Sequence, residues 1–214
     1  MSNPISSNIY VIAAICGNFW QESTVNPGIW EGLTVGAPGY GLGQWTDNPP
    51  VVMRRTALFN WLSQNGYSQD SGDGQLAFLV HEDLWIPSLF TPSAYPTLGD
   101  FFASTSTSLS ELVREWMYHW EGIDDGSYQN RYDAAWDYLE TFRHPPAERN
   151  PWYSSNAYNS VSQARSNALR IMDFFLGEEP TPPGPGPEPT EDELVALMRT
   201  AMKNKRKGGV FILW

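Results

Sequence analysis

Residues 17–28 read Gly-Asn-Phe-Trp-Gln-Glu-Ser-Thr-Val-Asn-Pro-Gly, and residues 39–46 read Gly-Tyr-Gly-Leu-Gly-Gln-Trp-Thr. The first stretch places one carboxylate, Glu22, at the end of an apolar helical pattern and directly after two aromatic residues. The second stretch predicts a glycine-rich hairpin that ends in an amide, Gln44, close to that carboxylate. Apolar surroundings keep a carboxyl protonated, as a glycosidase acid requires, whereas many glutamates at helix ends are plain surface charges. The pattern therefore favours a sugar-cleaving site.

The composition of the 214-residue chain excludes several classes of function. Its formal net charge is −11, which argues against a nucleic-acid partner because affinity for phosphate backbones depends on Lys and Arg. The three histidines are widely scattered and no phosphate-binding loop is present, so we expect neither a metal nor another cofactor. Ten Trp, ten Tyr and ten Phe predict an aromatic core, and some of them are candidates to stack on sugar rings.

The single cysteine, Cys16, lies in an apolar run at residues 11–16. We interpret it as a small buried residue rather than a nucleophile, since no histidine lies near it in sequence. No apolar stretch is long enough to predict a membrane span. The first residues lack the basic region of a secretion signal, so we expect release by lysis or delivery as part of a particle.

Hydrophobic periodicity predicts a mainly helical chain. Apolar residues at three- and four-residue spacings predict a first helix over residues 8–20, capped by a Ser or Asn among residues 6–8. Glycine and proline in residues 23–50 predict loop, with at most a short hairpin around residues 40–45. The other predicted helices cover residues 51–64, 74–85, 109–120, 131–143 and 161–175.

The C-terminal part of the chain has a different composition. Residues 177–189 contain six prolines and three glycines and predict a semi-stiff linker with no core of its own. Acidic residues at 191–193 begin a predicted short helix that ends near Lys203, which suits the helix dipole. The apolar residues 210–214 either fold back onto the domain or dock in another subunit, and the long linker favours docking.

These motifs together resemble the phage tail lysozyme family, in the branch of the lysozyme superfamily that contains goose-type lysozymes and lytic transglycosylases. The sequence looks especially like the cell-wall-degrading tail-tip proteins of short-tailed phages that infect Gram-positive bacteria. The likeness spans roughly residues 8–155. It is carried by Glu22-Ser23, Asn26-Pro27 and Gly41-Leu42-Gly43-Gln44, and more weakly by residues 118–121 and 131–138.

The resemblance implies a set of functional residues. Glu22 would be the catalytic acid, and Gln44 would hydrogen-bond the N-acetyl group or the reacting oxygen. Tyr40 or Trp45 would form a platform for a sugar ring, although packing of the hairpin on the first helix is an equal alternative for Trp45. The implied substrate-binding residues are Ser23, Tyr40, Gln44, Trp45, Thr46 and Glu121.

A second carboxylate is less easily assigned. Hydrolases that retain or invert the anomeric centre place a partner at a defined distance from the acid. The candidates are Glu31, Asp47 and Glu121, each of which is also readily explained as a solvated or structural charge. In goose-type and transglycosylase relatives no single second carboxylate is indispensable, so the resemblance leaves this position open.

We therefore expect a mainly α (α+β) lysozyme-like fold, with a helical lobe and a small β hairpin region, over residues 1–176. A Pro/Gly-rich linker over residues 177–189 would lead to a short C-terminal helix and apolar tip, residues 190–214, that anchors to other phage tail proteins. The expected activity is cleavage of the β-1,4 bond between N-acetylmuramic acid and N-acetylglucosamine in peptidoglycan, by a virion component during host cell-wall penetration. The alternatives are a free endolysin, a lytic transglycosylase, and a non-catalytic glycan-binding or structural tail protein.

Overall fold

The computed structural model describes residues 4–50 and 52–178. The predicted fold class is confirmed: these residues form a helical lobe with a small antiparallel sheet. The expected C-terminal helix and apolar tip, and nearly all of the expected linker, lie outside the described residues. The elements in chain order are α1 (Ile9–Ser23), β1 (Gly39–Tyr40), β2 (Trp45–Asn48), β3 (Val52–Met53), α2 (Arg54–Gln64), α3 (Gly72–Glu82), α4 (Leu98–Phe102), α5 (Leu109–Trp116), α6 (Tyr128–Arg143) and α7 (Val161–Leu176).

Helix α1 forms the centre of the helical lobe. Its residues 11–16 are completely buried, as expected for a helix that is apolar on every side, and Cys16 is one of these core residues. The helix packs against α5, α6 and α7. At Gly17 the backbone of α6 comes so close that a Cβ atom would lie 2.4 Å from the carbonyl oxygen of Arg131. This close approach brings α6 beside the C-terminal end of α1, where Glu22 lies.

The two ends of α1 explain why the helix is longer than periodicity predicted. Asn8 caps the first turn, because its side-chain oxygen accepts a hydrogen bond from Tyr10 N at 3.0 Å, as N-cap residues do. The helix continues to Ser23 and ends when Thr24 and Val25 adopt positive φ angles of 52° and 55°. Such angles are rare for a β-branched residue, and strained backbone of this kind is enriched at functional sites.

The small sheet consists of the predicted hairpin and one additional short strand. β1 pairs with β2 in antiparallel register, with Tyr40 opposite Trp45, and β2 pairs with β3. Residues 52–53 were predicted to belong to a helix, but they form β3, and α2 begins only at Arg54. The sheet packs against α2, which places the hairpin loop beside the helical lobe.

The predicted helix over residues 109–120 changes its geometry after Trp116. Residues Met117–Glu121 form one π-helical turn, a wider turn that is rare and often found at functional sites. Trp120 thereby stays buried in the core, while Glu121 reaches the surface of a cleft. Helix α4 was not predicted, because its five residues are too few to show a period; Thr97 and Asp100 close its first turn as a capping box.

Two features are absent from the part of the chain that the structure describes. None of the helices described there is long and apolar enough to cross a membrane. Within the same residues, no group of three or more His, Cys, Asp or Glu side chains has the arrangement of a metal site.

Candidate active site

A cleft of about 420 Å³ lies between the end of α1, the hairpin and the π-helical turn. A buried aromatic cluster packs behind the lining residue Gly43: Phe19, Trp45 and Trp116 surround Trp120, with ring centroids 4.8–5.9 Å from it. Trp116 of this cluster contacts Glu121, and apolar surroundings of this kind raise the cost of charging a carboxyl. The polar, charged and aromatic residues that line the cleft include Glu22, Trp30, Glu31, Gln44, Thr46, Arg54, Glu121 and Tyr158.

Arg131 holds the Glu22 side chain in place. The guanidinium is completely buried, and Nη2 donates to Glu22 Oε1 at 2.5 Å. Its other donors bind Asn18 Oδ1 at 3.0 Å and Ser127 Oγ at 2.8 Å. Asn18 in turn donates from Nδ2 to Ala14 O within α1 at 2.9 Å. The arginine therefore has partners in α1 and at the start of α6, and it fixes one carboxylate oxygen of Glu22.

Burial raises the pKa of Glu22 above its ordinary value of 4.5. The charge and hydrogen bond of Arg131 act in the opposite direction, and the charge of Asp125 adds a smaller upward shift. The side chain of Glu22 still has 19% of its surface exposed, so a ligand in the cleft has access to it. A carboxyl that retains its proton and remains accessible is what a general acid needs.

A second carboxyl, Glu121, shares the electrostatic environment of Glu22. It lies at the end of the π-helical turn, and Trp116 Nε1 donates to its Oε1 at 3.3 Å. Burial raises its pKa well above the ordinary value, and the charge of Glu22 raises it further, while Arg131 and Arg54 oppose the shift. Groups that interact this strongly titrate as a pair, and this pair keeps a proton to higher pH than an isolated glutamate.

Arg54 supplies a second positive charge at the cleft. It begins α2 and is held by Glu82 through two hydrogen bonds of 2.8 and 2.9 Å. Its guanidinium carbon lies 4.7 Å from the centroid of the Trp120 ring, a cation–π geometry that holds the charge against the buried aromatic cluster.

Two comparisons with known proteins bear on this site. The sequence profile of the phage tail lysozyme family matches residues 6–142, which is more than half of the chain. The chain belongs to this family. A stretch of 73 residues is also 40% identical to morphogenesis protein 1 of Bacillus phage B103. That stretch makes up 33% of this chain and 18% of the relative, so the chain matches only a small part of the longer protein.

The structure of this phage tail lysozyme family member brings several predicted residues together. Gln44, Thr46 and Glu121 line the same cleft as Glu22, and so does Glu31. Gln44 adopts a positive φ of 45°, and its Nε2 donates to Gly41 O at 3.1 Å. A second, longer bond from Nε2 to Ile29 O at 3.4 Å also holds the amide in place.

Three of the predicted binding residues are buried in this structure. Trp45 is completely buried and its Nε1 donates to Glu82 Oε2 at 3.1 Å, so neither ring face is free for a sugar. Tyr40 is buried against Trp30, with centroids 4.7 Å apart. Ser23 donates from Oγ to Leu42 O at 2.8 Å and joins the end of α1 to the hairpin. Packing accounts for the positions of all three side chains, and their contact with substrate stays a prediction.

Asp47 does not line the cleft. Its carboxylate accepts hydrogen bonds from Thr56 N at 3.0 Å, Thr56 Oγ1 at 2.6 Å and Arg55 Nη2 at 3.0 Å. Burial would raise the pKa of this carboxyl, but the bonds from Thr56 and the charge of Arg55 outweigh it and lower the pKa. Asp47 therefore ties β2 to the first turn of α2, and only Glu31 and Glu121 remain as candidates for a second carboxylate.

Sequence reasoning did not assign a role to Arg131, Arg54, Trp30 or Tyr158. One signal for Arg131 was available, because an arginine within an apolar helical pattern must find a buried carboxylate or other acceptors. Trp30 and Tyr158 lie in irregular segments where no periodicity indicates which side chains face a cleft. Their positions depend on contacts between distant parts of the chain.

Proposed function

We propose that this protein is a peptidoglycan hydrolase of a phage tail, and that it cleaves the β-1,4 bond between N-acetylmuramic acid and N-acetylglucosamine. The observation that carries the proposal is the raised pKa of Glu22 in an open cleft. Membership of the phage tail lysozyme family supports the same class of reaction. The cleft is lined by polar groups and by the aromatic rings of Trp30 and Tyr158, as sugar-binding sites commonly are.

In the proposed reaction Glu22 donates its proton to the glycosidic oxygen as the bond to the sugar breaks. The carboxylate that results is stabilised by the Arg131 guanidinium, which already contacts Oε1 at 2.5 Å. Glu22 then accepts a proton from the attacking water and returns to its starting state. Arg131 is a positioning residue here: it holds one oxygen of Glu22, so that the other is directed to the substrate.

Glu121 acts on this reaction through its charge. Burial raises its pKa well above the ordinary value, so its protonated form, which adds no negative charge beside Glu22, persists to higher pH than in an isolated glutamate. When both carboxyls are ionised at higher pH, the acid is lost. We therefore expect activity to decline as the pH rises through the upper pKa of the pair.

Digestion of purified peptidoglycan tests the proposal. Wild-type protein should release new reducing ends, and mass spectrometry of the products should place N-acetylmuramic acid at those ends. The Glu22→Gln variant should be slower by at least about 100-fold, because it cannot donate the proton. Equal rates for the two proteins would remove Glu22 from the mechanism. Anhydro-sugar products would instead identify a lytic transglycosylase, and no turnover by wild type would favour a glycan-binding or structural tail protein.

The biological setting is part of the proposal. We infer that the protein is a virion component that opens the host cell wall locally during genome entry, attached to other tail proteins through residues 190–214. Detection of the protein in purified particles, and its loss from them when residues 208–214 are deleted, would support this placement. A protein that is absent from particles but present in lysates would be a free endolysin.

A further inference from the structure

A segment that follows the family match forms part of the cleft. The match ends at residue 142, whereas residues 152–160 return to the end of α1 and the loop that begins at Trp30. One side chain of this segment, Tyr158, lines the cleft with 62% of its surface exposed. The segment therefore adds a wall to the cleft from outside the residues that match the family profile.

The segment is attached to the end of α1 by a dense set of hydrogen bonds. Asn26 Nδ2 donates to Ser155 O at 2.9 Å and to Ala157 O at 2.6 Å. Asn159 N donates to Thr24 Oγ1 at 2.8 Å. These contacts lie on both sides of Tyr158 in the chain, so the backbone that carries this tyrosine is held at a fixed place beside Glu22.

The same segment also binds the loop on the hairpin side of the cleft. Asn156 Oδ1 accepts from Trp30 N at 3.0 Å, and Asn156 Nδ2 donates to Leu33 O at 2.9 Å. At Gly28 the packing is so close that a Cβ atom would lie 2.8 Å from Ser155 N. The segment thus joins the loop after α1 to the cleft wall, and it has no freedom to move away without breaking several bonds.

Tyr158 differs from the other aromatic residue at the rim. Trp30 is in contact with Tyr40 and Phe59, at centroid distances of 4.7 and 5.9 Å, and Arg55 lies 5.6 Å from its ring centroid. Tyr158 has no such ring partner among the described residues and keeps most of its surface free. An amphipathic ring presented this way can cover the apolar face of a sugar while its hydroxyl stays in water.

We propose that Tyr158 forms an aromatic subsite that binds an N-acetylhexosamine of the glycan strand, beside the sugars that Glu22 acts on. The inference rests on the proposed function for the identity of the ligand. Tyrosine loses little conformational entropy on binding, and a pre-ordered backbone reduces the remaining cost. Tyr158 is accordingly a residue for affinity and substrate length rather than for the chemical step.

Steady-state kinetics on soluble glycan fragments of increasing length test the subsite. Tyr158→Ala should raise KM about 3–10-fold for fragments long enough to reach it, with kcat nearly unchanged. Tyr158→Phe keeps the ring and should stay within about twofold of wild type. Tyr153→Ala is the matched control, because this tyrosine belongs to the same segment and is 37% exposed but does not line the cleft.

Two results would overturn the inference. One is an unchanged KM for Tyr158→Ala at every fragment length. The other is an equal rise in KM for Tyr153→Ala, which would indicate general loosening of the segment. Calorimetric titration of chitotetraose into the Glu22→Gln protein, with and without Tyr158→Ala, measures binding without turnover. If wild type shows no turnover, the proposed hydrolysis fails, yet the titration still reports whether Tyr158 binds the sugar.

Discussion

Two regions of this protein each combine a carboxylate with an arginine, and they differ in what the pair does. At the end of α1, Glu22 contacts Arg131 through a single oxygen. Asp47 of β2 accepts one hydrogen bond from Arg55 and two from Thr56, both in the first turn of α2. An arginine donates to the carboxylate in both regions, yet the pKa of Glu22 is raised and that of Asp47 is lowered.

The difference shows that an adjacent arginine does not by itself decide whether a carboxyl is ionised. Asp47 receives hydrogen bonds on both oxygens, and these replace the water that it loses on burial. Glu22 has one strong donor, loses water on burial and interacts with a second carboxyl, Glu121. The first arrangement stabilises an ion and builds structure, whereas the second leaves a proton available for chemistry.

The largest expected effect is on activity, which should depend strongly on Glu22 and little on Asp47. Glu22→Gln should lower the rate on peptidoglycan by at least about 100-fold, whereas Asp47→Asn should leave the rate per folded molecule within about threefold, because Asp47 does not line the cleft. Rates normalised to the folded fraction, determined by circular dichroism, provide the measurement. A comparable loss in Asp47→Asn would mean that the region at α2 controls the cleft geometry.

The second expected effect is on stability, to which Asp47 should contribute. Asp47→Asn should lower the free energy of unfolding at pH 7 by about 1–3 kcal/mol, because charge-assisted bonds from Arg55 and Thr56 are weakened. The folded-state pKa of Asp47 lies below its ordinary value of 3.8. Its contribution is therefore complete above that value and is lost as the pH falls through the folded-state pKa. Urea titrations at pH 7 and pH 3 should show a smaller difference between variant and wild type at pH 3.

Glu121→Gln should have the opposite effect on stability: this substitution should stabilise the protein. Because the folded-state pKa of Glu121 lies above its ordinary value of 4.5, ionisation opposes folding, and stability falls as the pH rises through the folded-state pKa. The amide cannot ionise, so the variant should melt a few degrees above wild type at pH 8 and at the same temperature at pH 4. Thermal melts at the two pH values test this. A variant that is less stable at pH 8 would show that Glu121 is an ion that Arg131 needs.

The smallest effect concerns Glu31, the other carboxylate at the cleft. Its Oε2 accepts a hydrogen bond from Gly39 N at 2.9 Å, and the amide oxygen of Glu31→Gln can replace that bond. If Glu22 serves both steps of the reaction, kcat should fall by less than about tenfold in this variant. A fall of 100-fold or more would identify Glu31 as the second carboxylate of a two-carboxylate hydrolase.

The fold was predictable to a large extent because its helices have a clear period. The apolar run at residues 11–16 predicted the central helix, and the glycine-rich residues 39–46 predicted the hairpin. Short or irregular elements escaped prediction, such as α4 and the π-helical turn at Met117–Glu121. Neither has enough residues to show a pattern, and both depend on packing against the core.

The candidate site was likewise only partly predictable from the sequence. Glu22 and Gln44 were found from the motif, because an apolar helix followed by a glycine-rich hairpin brings both to one place. The exposure of the aromatic residues was not predictable: Trp45 and Tyr40 are buried, and Tyr158 is exposed at the cleft. Local sequence shows that a ring is apolar, but only the neighbours in space decide whether its faces are covered.

Local sequence was thus sufficient to predict the mainly helical fold, the hairpin and the position of Glu22, the proposed acid. These properties follow from periodicity and turn chemistry within a few residues. Packing between distant segments was needed for the protonation of that acid and for the shape of its cleft. Arg131 lies 109 residues from Glu22 in the chain, and Tyr158 is held by contacts that span more than 120 residues. Desolvation and charge–charge distances exist only after folding, so the chemistry of Glu22 belongs to the folded protein.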